Sequence, residues 1–484
     1  MSQSIQKSLK QPKVFSYSFA TAMFERFGFY VLTFLLVLYL KNEFHFTDVV
    51  AFALFSVFNA LVYLTPAIGG YLADNIFGIK RTMICGLILE DLGLLILSIP
   101  DNSLIYFGLA CIIIGVGLFK TGPTDILGRA YKENDPRIDA GFTWYYLGIN
   151  VGCLVAPLVA GFVQRYFGWH IAFFCGAISL FIGLLVGLFF KKDAVKELDV
   201  ELSKRNVSIK KWLGLVLGII ASFSIAILLI YQPEIFHIFF IAALVLLAIY
   251  FGYEIAKSTN QEKWEIIACV LLILIGMAFF IMYFQLFMSI TLFIDRCVVR
   301  NIFGINFPTS SFLGLNPFWI VVLSPVVVFV YNYLGKRGKD LAITTKFTLG
   351  LTITSLTFFT IKFGTLFADA NMQISSGWII MAIFFYSLGE LLISALGVAM
   401  VTRIAPKRLY GFMMGAWFLI ATSGASSLSG SVSSLASIPE TMTDPQLILN
   451  IYGKIFLEIG IAGLVVAVFS AIVGPHIKKI ANLK

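Results

Sequence analysis

Two charged residues, Glu25 and Arg26, stand next to each other inside an apolar stretch that runs from residue 14 to residue 40. A charged side chain at the centre of a bilayer costs about 2.5–3.5 kcal/mol on insertion scales. Adjacent charges therefore persist at that depth when they face a polar interior that holds partners for them. The pair either fixes helix packing as a structural ion pair or lines a polar cavity for a solute or a proton.

Two further acids, Glu90 and Asp91, interrupt the apolar stretch 81–99, and Asp125 follows Lys120 by five residues. Five residues turn a helix by about 500°, so Lys120 and Asp125 are about 140° apart and are not expected to pair with each other. Glu90 and Asp91 either belong to a structural ion pair between helices, with Lys120 or a loop base, or one of them carries a proton. Spacing alone does not choose between these two roles.

The composition is that of a membrane protein. Of the 484 residues, 59% are hydrophobic and 13% are charged, whereas soluble proteins carry about 25% charged residues. The net charge of +9 is spread over short loops, which sets membrane topology and argues against a nucleic-acid partner.

The six cysteines form no CxxC pair, so neither a disulfide nor a metal site is expected. The chain contains no HExxH or GxSxG motif and is not expected to be an enzyme.

Fourteen apolar runs are long enough to cross a bilayer. They span residues 14–40, 48–73, 81–99, 104–128, 140–164, 169–190, 212–231, 235–256, 264–292, 316–334, 342–364, 376–402, 409–434 and 451–474. With both ends of the chain in the cytoplasm, the inside segments hold most of the loop lysines and arginines. The outside segments then hold only Lys41, Arg165, Arg296 and Arg300. Because cytoplasmic loops are enriched in positive charge, the sequence predicts a multi-pass protein with both termini in the cytoplasm.

A long charged segment divides the chain. Residues 191–211 are predicted to be a cytoplasmic linker that follows a six-helix bundle at 14–190. The next two apolar helices, within 212–256, carry no charge except near their ends, and we expect them to form an accessory pair outside the core. A second six-helix bundle is predicted at 262–476. Two six-helix halves around a midplane site are the plan of one large transporter class.

Several short motifs carry a family resemblance. Residues 69–81 (GGYLADNIFGIKR) combine an Asp at a helix end with glycines and basic residues, and they resemble the loop signature of the major facilitator superfamily. Residues 25–30 (ERFGFY) resemble the E-x-x-E-R-F-x-Y-Y signature of the proton-dependent oligopeptide transporters. Further segments similar to that family are GLFK at 117–120, FTWYYLGINVG at 142–152, LNPFW at 315–319, SLGELLIS at 387–394 and MGAWFL at 414–419. The details look closest to bacterial dipeptide and tripeptide permeases.

This resemblance implies an all-α major facilitator fold and the import of di- and tripeptides by proton symport with alternating access. It also implies an inner-membrane location and no cofactor other than the coupling protons. The residues that fall on the family's substrate-site positions are Arg26, Tyr30, Tyr63, Lys120, Tyr146, Asn150, Asn316, Glu390, Ser394 and Trp417. Trp319 matches only weakly. The candidates for proton coupling are Glu25, Glu90 and Asp91.

The residue types suit a short peptide, which is a zwitterion with amide groups. A site for it needs an acid, a base, amide partners and room for varied side chains. Glu390 can pair with the amine, Arg26 and Lys120 with the carboxylate, and Asn150 and Asn316 with the peptide backbone.

The chain departs from the family signature at several positions. Ala22 stands where the first glutamate is expected, Phe29 where a tyrosine is expected, and Thr33 where a base is frequent. Phe284 precedes Gln285 where an acid is common, so two carboxylates linked to proton coupling are absent. Transport of another small solute, uncoupled peptide diffusion and peptide binding without transport therefore remain as alternatives. We expect a monomer, because both halves are contained in one chain.

Overall fold

The computed structural model describes residues 11–131, 135, 137–189, 209–338, 341–393 and 396–480. These residues are nearly all helical, which confirms the all-α fold class. The α-helices are α1 (Lys13–Asn42), α2 (Asp48–Leu64), α3 (Pro66–Leu72), α4 (Ile79–Leu97), α5 (Ile105–Phe119), α6 (Gly122–Arg129), α7 (Ile138–Phe167), α8 (Trp169–Phe189), α9 (Ile209–Tyr231), α10 (Pro233–Lys257), α11 (Asn260–Phe284), α12 (Ser289–Cys297), α13 (Thr309–Leu313), α14 (Leu315–Lys336), α15 (Ile343–Gly364), α16 (Ser376–Ile393), α17 (Leu396–Ile404), α18 (Tyr410–Ala416), α19 (Ala425–Ser434) and α20 (Pro445–Ile480).

Short segments of other geometry interrupt or join these helices. The π-helical segments are Ala73–Phe77 and Trp417–Gly424, and the 3₁₀ turns are Asn102–Leu104, Gln285–Phe287, Thr365–Phe367 and Lys407–Leu409. Four two-residue strands are also present, namely β1 (Val298–Val299), β2 (Asn301–Ile302), β3 (Ile305–Asn306) and β4 (Ile374–Ser375). Strand β1 pairs with β4 in parallel, and β2 with β3 antiparallel. The sequence predicted no strands, because a strand of two residues is too short to show the alternation of apolar and polar residues by which strands are recognised.

Twelve segments of the described chain are long and apolar enough to cross a membrane. Helix α4 is not among them, and it contains Lys80, Arg81, Glu90 and Asp91. Helix α9 contributes a shorter apolar segment, Val216–Tyr231. Counting α4 and α9, the described residues form the fourteen helical segments expected from hydropathy, several of them broken into two shorter helices. The chain is a multi-pass membrane protein.

The chain divides into two compact units. The first unit comprises Met1–Leu35 and Leu64–Tyr231, and the second comprises Leu36–Tyr63 and Gln232–Lys484. Helix α2 belongs to the second unit because its polar face bonds to α19, as in the 2.9 Å hydrogen bond from the Asn59 amide to the Ser426 hydroxyl. Helix α9 falls in the first unit and α10 in the second. The bundle boundaries expected from the sequence, including the linker at 191–211 whose residues 191–208 lie outside the described chain, stay a prediction.

Close helix packing in the first unit positions an acidic side chain. Helix α5 presents Gly115 to α4, and a Cβ atom there would lie 2.5 Å from the Cγ atom of Glu90. One α4 turn further on, a Cβ atom on Gly93 would lie 2.7 Å from the carbonyl oxygen of Gly108. Glycine is therefore required at Gly115 for Glu90 to lie against the backbone of α5.

Candidate functional site

The first unit gathers four charged side chains. On α1 the Arg26 guanidinium donates two hydrogen bonds to the carboxylate of Glu25, which is completely buried. Lys120 lies directly after α5 and interacts electrostatically with Arg26, Glu25 and Glu90. Glu90 reaches this group from α4 and is 1% exposed. The structure thus brings two buried acids, Glu25 and Glu90, together with two partly buried bases, Arg26 and Lys120, in one group that we call the charge cluster.

Asp91 does not join the charge cluster. Consecutive residues are about 100° apart around a helix, so Asp91 leaves α4 in a different direction from Glu90. Asp91 is also buried, but it has no charged neighbour among the described residues. The two adjacent acids, which the sequence could not tell apart, therefore have different surroundings.

Tyrosines from α1 and α7 surround the charge cluster. Tyr30 interacts with Arg26 and stacks on Phe34, with 5.2 Å between ring centroids. On α7, the buried Tyr145 is within electrostatic reach of Arg26 and Glu25, and its hydroxyl lies 3.4 Å from that of Thr124. Sequence reasoning selected the neighbouring Tyr146 and missed Tyr145. The only signal for Tyr145 was its place in the same aromatic motif.

The two other α7 positions selected from the sequence behave differently from Tyr145. Tyr146 is 47% exposed. Asn150 is buried, and its amide donates a 2.8 Å hydrogen bond to the carbonyl oxygen of Tyr146, one turn earlier in the same helix. This local bond fixes the Asn150 side chain and leaves its amide oxygen as the group that can accept a further hydrogen bond.

In the second unit, Glu390 of α16 is held by Asn316 of α14. The Asn316 amide donates hydrogen bonds of 2.7 Å to the Glu390 carboxylate and 3.1 Å to the Ser387 hydroxyl. Ser387 was missed by sequence reasoning, although it lies one turn before Glu390 in the same motif. Trp319, the weakest candidate, packs edge-on against Phe384 at 5.2 Å between ring centroids. Because the Asn316 amide is neutral, it does not offset the negative charge that Glu390 carries when it is ionised.

The aromatic candidates of the second unit are packed among other side chains. Trp417 is 2% exposed, and its indole fills the space beside Gly276 and Gly397 at the π-helical segment. The ring of Tyr63 lies edge-on to that of Phe284, 5.8 Å between centroids. Ser394 lies outside the described residues.

The structure gives physical context for the departures from the family signature. Ala22, in place of a glutamate, packs in an apolar cluster with Leu127, Tyr131 and Tyr145. Phe284, in place of an acid, is 1% exposed, and its ring lies 5.8 Å from that of Tyr63 between centroids. Both positions are thus occupied by apolar side chains that pack among their immediate neighbours.

The remaining acid singled out in the sequence, Asp125, pairs with Arg129 one turn along α6. The Arg129 guanidinium donates bonds of 2.9 and 3.0 Å to the Asp125 carboxylate. Arg129 also approaches Asp74 at 3.5 Å. The expectation that Asp125 does not pair with Lys120 agrees with this arrangement. Within the described chain, no three His, Cys, Asp or Glu residues lie close enough together to hold a metal ion.

A second ion pair, missed by sequence reasoning, joins the start of α2 to the end of α12. The side chain of Asp48 is 0% exposed and accepts bonds of 2.6 and 2.8 Å from Arg296. Arg296 also donates to the Tyr452 hydroxyl at 2.8 Å, and the Ile438 backbone N–H donates to Asp48 at 3.0 Å. Sequence reasoning treated Arg296 only as a loop base, because its partner lies 248 positions away.

Asp48→Asn should strongly destabilise the protein, because it leaves the partly buried Arg296 facing a neutral amide in place of a fully buried carboxylate. Removing one partner of a buried ion pair costs about 3–5 kcal/mol. Thermal unfolding in detergent measures the effect. The matched control is Lys454→Ala, which breaks the exposed Lys454–Glu458 pair and should change stability by about 1 kcal/mol or less. Equal effects of the two substitutions would contradict the structural role of Asp48.

Comparisons with known proteins agree with this architecture. A model of the POT family matches residues 80–448. The dipeptide and tripeptide permease A of Cronobacter turicensis is 36% identical over 477 residues, covering 98% of this chain and 95% of the relative. A solved structure from a study of substrate recognition in proton-dependent oligopeptide transporters has a TM-score of 0.86 at 31% identity, covering 97% of this chain and 99% of that one. A tetrameric crystal form of PepTSo2 has a TM-score of 0.86 at 29% identity with the same coverage. The chain belongs to the POT family.

Proposed function

We infer that the protein imports di- and tripeptides by proton symport across the inner membrane of a bacterial cell. It is a transporter and not an enzyme. The observation that carries this inference is the presence of an amide-held acid, Glu390, and two partly buried bases, Arg26 and Lys120, in a multi-pass chain of the POT family. A zwitterionic peptide offers a cationic amine to the acid and an anionic carboxylate to the bases.

Each substrate-site residue has a role in this proposal. Glu390 binds the amine, and Arg26 and Lys120 bind the carboxylate. Asn150 and Asn316 bond to the peptide backbone. The residues that surround the peptide's side chains are Tyr30, Tyr63, Tyr146, Ser394 and Trp417. The buried packing of Trp417 against glycines gives it a fixed orientation from which to limit side-chain size.

The coupling ion is a proton, and the carboxyl groups of the charge cluster, Glu25 and Glu90, are the ones able to carry it. Both termini lie in the cytoplasm in this proposal, since that orientation places most loop bases on the inner side. The transport unit is one chain organised as bundles at 14–190 and 262–476, with the accessory helices in 212–256. A tetrameric assembly like the crystal form of PepTSo2 would then contain four independent transport units.

Uptake into proteoliposomes tests the function directly. Purified protein with an acidic outside solution should accumulate a labelled dipeptide above its outside concentration, and a protonophore should abolish the accumulation. Unlabelled di- and tripeptides should compete, whereas single amino acids should not. Accumulation without peptide competition would indicate another solute, and peptide equilibration that ignores the proton gradient would indicate an uncoupled facilitator.

A further inference from the structure

Glu90 belongs to the charge cluster, but the proposed peptide site gives it no contact with the substrate. Glu90 leaves α4 against Gly115 of α5, and its carboxylate interacts with Glu25, Arg26 and Lys120. Both Glu90 oxygens are buried, and no donor of a described residue lies within hydrogen-bonding distance of either. An ionised carboxylate is an acceptor only, and its burial without a donor is costly. The surroundings of Glu90 therefore favour its neutral, protonated form.

The neighbouring acid has the opposite surroundings. Arg26 donates two hydrogen bonds to Glu25, one to each carboxylate oxygen. Charge-assisted bonds of this kind favour the ionised carboxylate. When two carboxyl groups share a buried site, ionisation of one opposes ionisation of the other. Arg26 donates hydrogen bonds to the carboxylate of Glu25 and not to that of Glu90. Glu90 is therefore the carboxyl group of this pair that we expect to bind a proton.

Among the described residues, no other helix packed on α4 brings a charged side chain to Glu90. Helix α8 meets α4 through apolar contacts, and its His170 lies at the far end, where the ring Nδ1 is 3.1 Å from the Leu97 carbonyl oxygen. The charged groups of α6, Asp125 and Arg129, bond to each other. The described titratable groups that face Glu90 are thus those of the charge cluster alone.

We propose that Glu90 is the binding site of the coupling proton in this chain, in the role left open by Ala22. This inference rests on the proposed peptide import. With the proton on Glu90, the charge cluster holds Arg26 and Lys120 against the single negative charge of Glu25. The surplus positive charge attracts the carboxylate of a peptide. Loss of the proton from Glu90 restores a second carboxylate to the charge cluster and removes that surplus, so proton binding and peptide binding assist each other.

The chain offers a matched control at the next position. Glu90→Gln keeps the shape of the neutral acid and removes its ability to exchange a proton. In proteoliposomes, this variant should lose accumulation of peptide above the outside concentration under a proton gradient. It should retain counterflow, in which labelled peptide exchanges for unlabelled peptide without net proton movement. Asp91→Asn, which changes a neighbouring buried acid outside the charge cluster, should retain both activities.

The dependence of peptide affinity on pH provides a second readout. In the wild type, affinity for a free-carboxylate dipeptide should fall as the pH rises and Glu90 loses its proton. In Glu90→Gln that pH dependence should disappear, while Asp91→Asn should keep it. Proton-driven accumulation by Glu90→Gln, or loss of accumulation in Asp91→Asn alone, would overturn the proposal.

Infrared difference spectroscopy measures whether Glu90 is protonated, and it does not depend on transport activity. A carboxylic-acid C=O band should be present in the wild type at neutral pH, persist in Asp91→Asn, shift in Glu90→Asp and be lost in Glu90→Gln. Absence of that band from the wild type overturns the proposal even if Glu90→Gln does not fold. If the wild type accumulates no peptide, the proposed function fails, and the infrared band still reports whether Glu90 holds a proton.

Discussion

Glu390→Gln should lower the affinity for peptides with a free amine by about ten- to a hundredfold. A hydrogen bond to a charged group contributes about 1.5–3 kcal/mol, and each 1.4 kcal/mol corresponds to about tenfold in affinity. The Asn316 amide already donates to Glu390 at 2.7 Å, so Gln at this position can keep a hydrogen bond to Asn316 while losing its charge. The measurement is equilibrium binding of a dipeptide to the purified variant.

Amine-blocked peptides provide the control for this prediction. An N-acetylated dipeptide has no cationic amine, so its affinity should change far less between wild type and Glu390→Gln. Glu458→Gln, which removes an exposed acid, should leave both ligands unaffected. If Glu390 serves only to hold Asn316 and Ser387 together, both peptides would weaken equally and thermal stability would fall with them.

Lys120→Gln should have a comparable effect on the other end of the peptide. Lys120 belongs to the charge cluster, where its ammonium faces the carboxylates of Glu25 and Glu90. Without it, and with the proton on Glu90, the charge of Arg26 is balanced by that of Glu25, so no surplus positive charge remains to attract a peptide carboxylate. Affinity for a free-carboxylate dipeptide should therefore fall by about tenfold or more. The measurement is equilibrium binding of the dipeptide at a pH low enough to keep Glu90 protonated in both proteins, which separates this effect from proton coupling.

Two comparisons make the Lys120 prediction specific. A C-terminally amidated dipeptide carries no carboxylate, so it should lose much less affinity than the free acid. Lys120→Arg keeps the positive charge and should recover part of the affinity, although the planar guanidinium does not reproduce the compact ammonium. A uniform loss for acid and amide peptides in Lys120→Gln would assign Lys120 to packing within the first unit and not to the substrate.

Local sequence features predicted much of the fold and of the charge cluster. The expected helices follow from hydropathy, because the bilayer sets the length of each span and requires backbone bonds to close within it. The pairing of Glu25 with a base was visible because Arg26 is its neighbour. The separation of Lys120 from Asp125 followed from helical geometry alone, and Asp125 bonds to Arg129 instead.

Helix breaks and small strands were less predictable. The π-helical segment at Trp417–Gly424 accompanies the placement of an indole beside Gly276 and Gly397, which lie in other helices. Strand β1 pairs with β4, whose residues follow some 76 positions later in the chain. Neither feature has a local sequence pattern, because each depends on contacts with segments that are distant in the chain.

The sequence by itself determined that this protein is an all-α membrane transporter, and it predicted an acid, two bases and two amides as the groups that bind a zwitterion. These properties depend on residue type and on spacing along one helix. Only the tertiary structure decided that Glu90 and not Asp91 joins Glu25, that Tyr145 and not Tyr146 is buried beside Arg26, and that Asp48 pairs with Arg296. Adjacent helical residues point about 100° apart, so which one meets a partner depends on the packing of other helices.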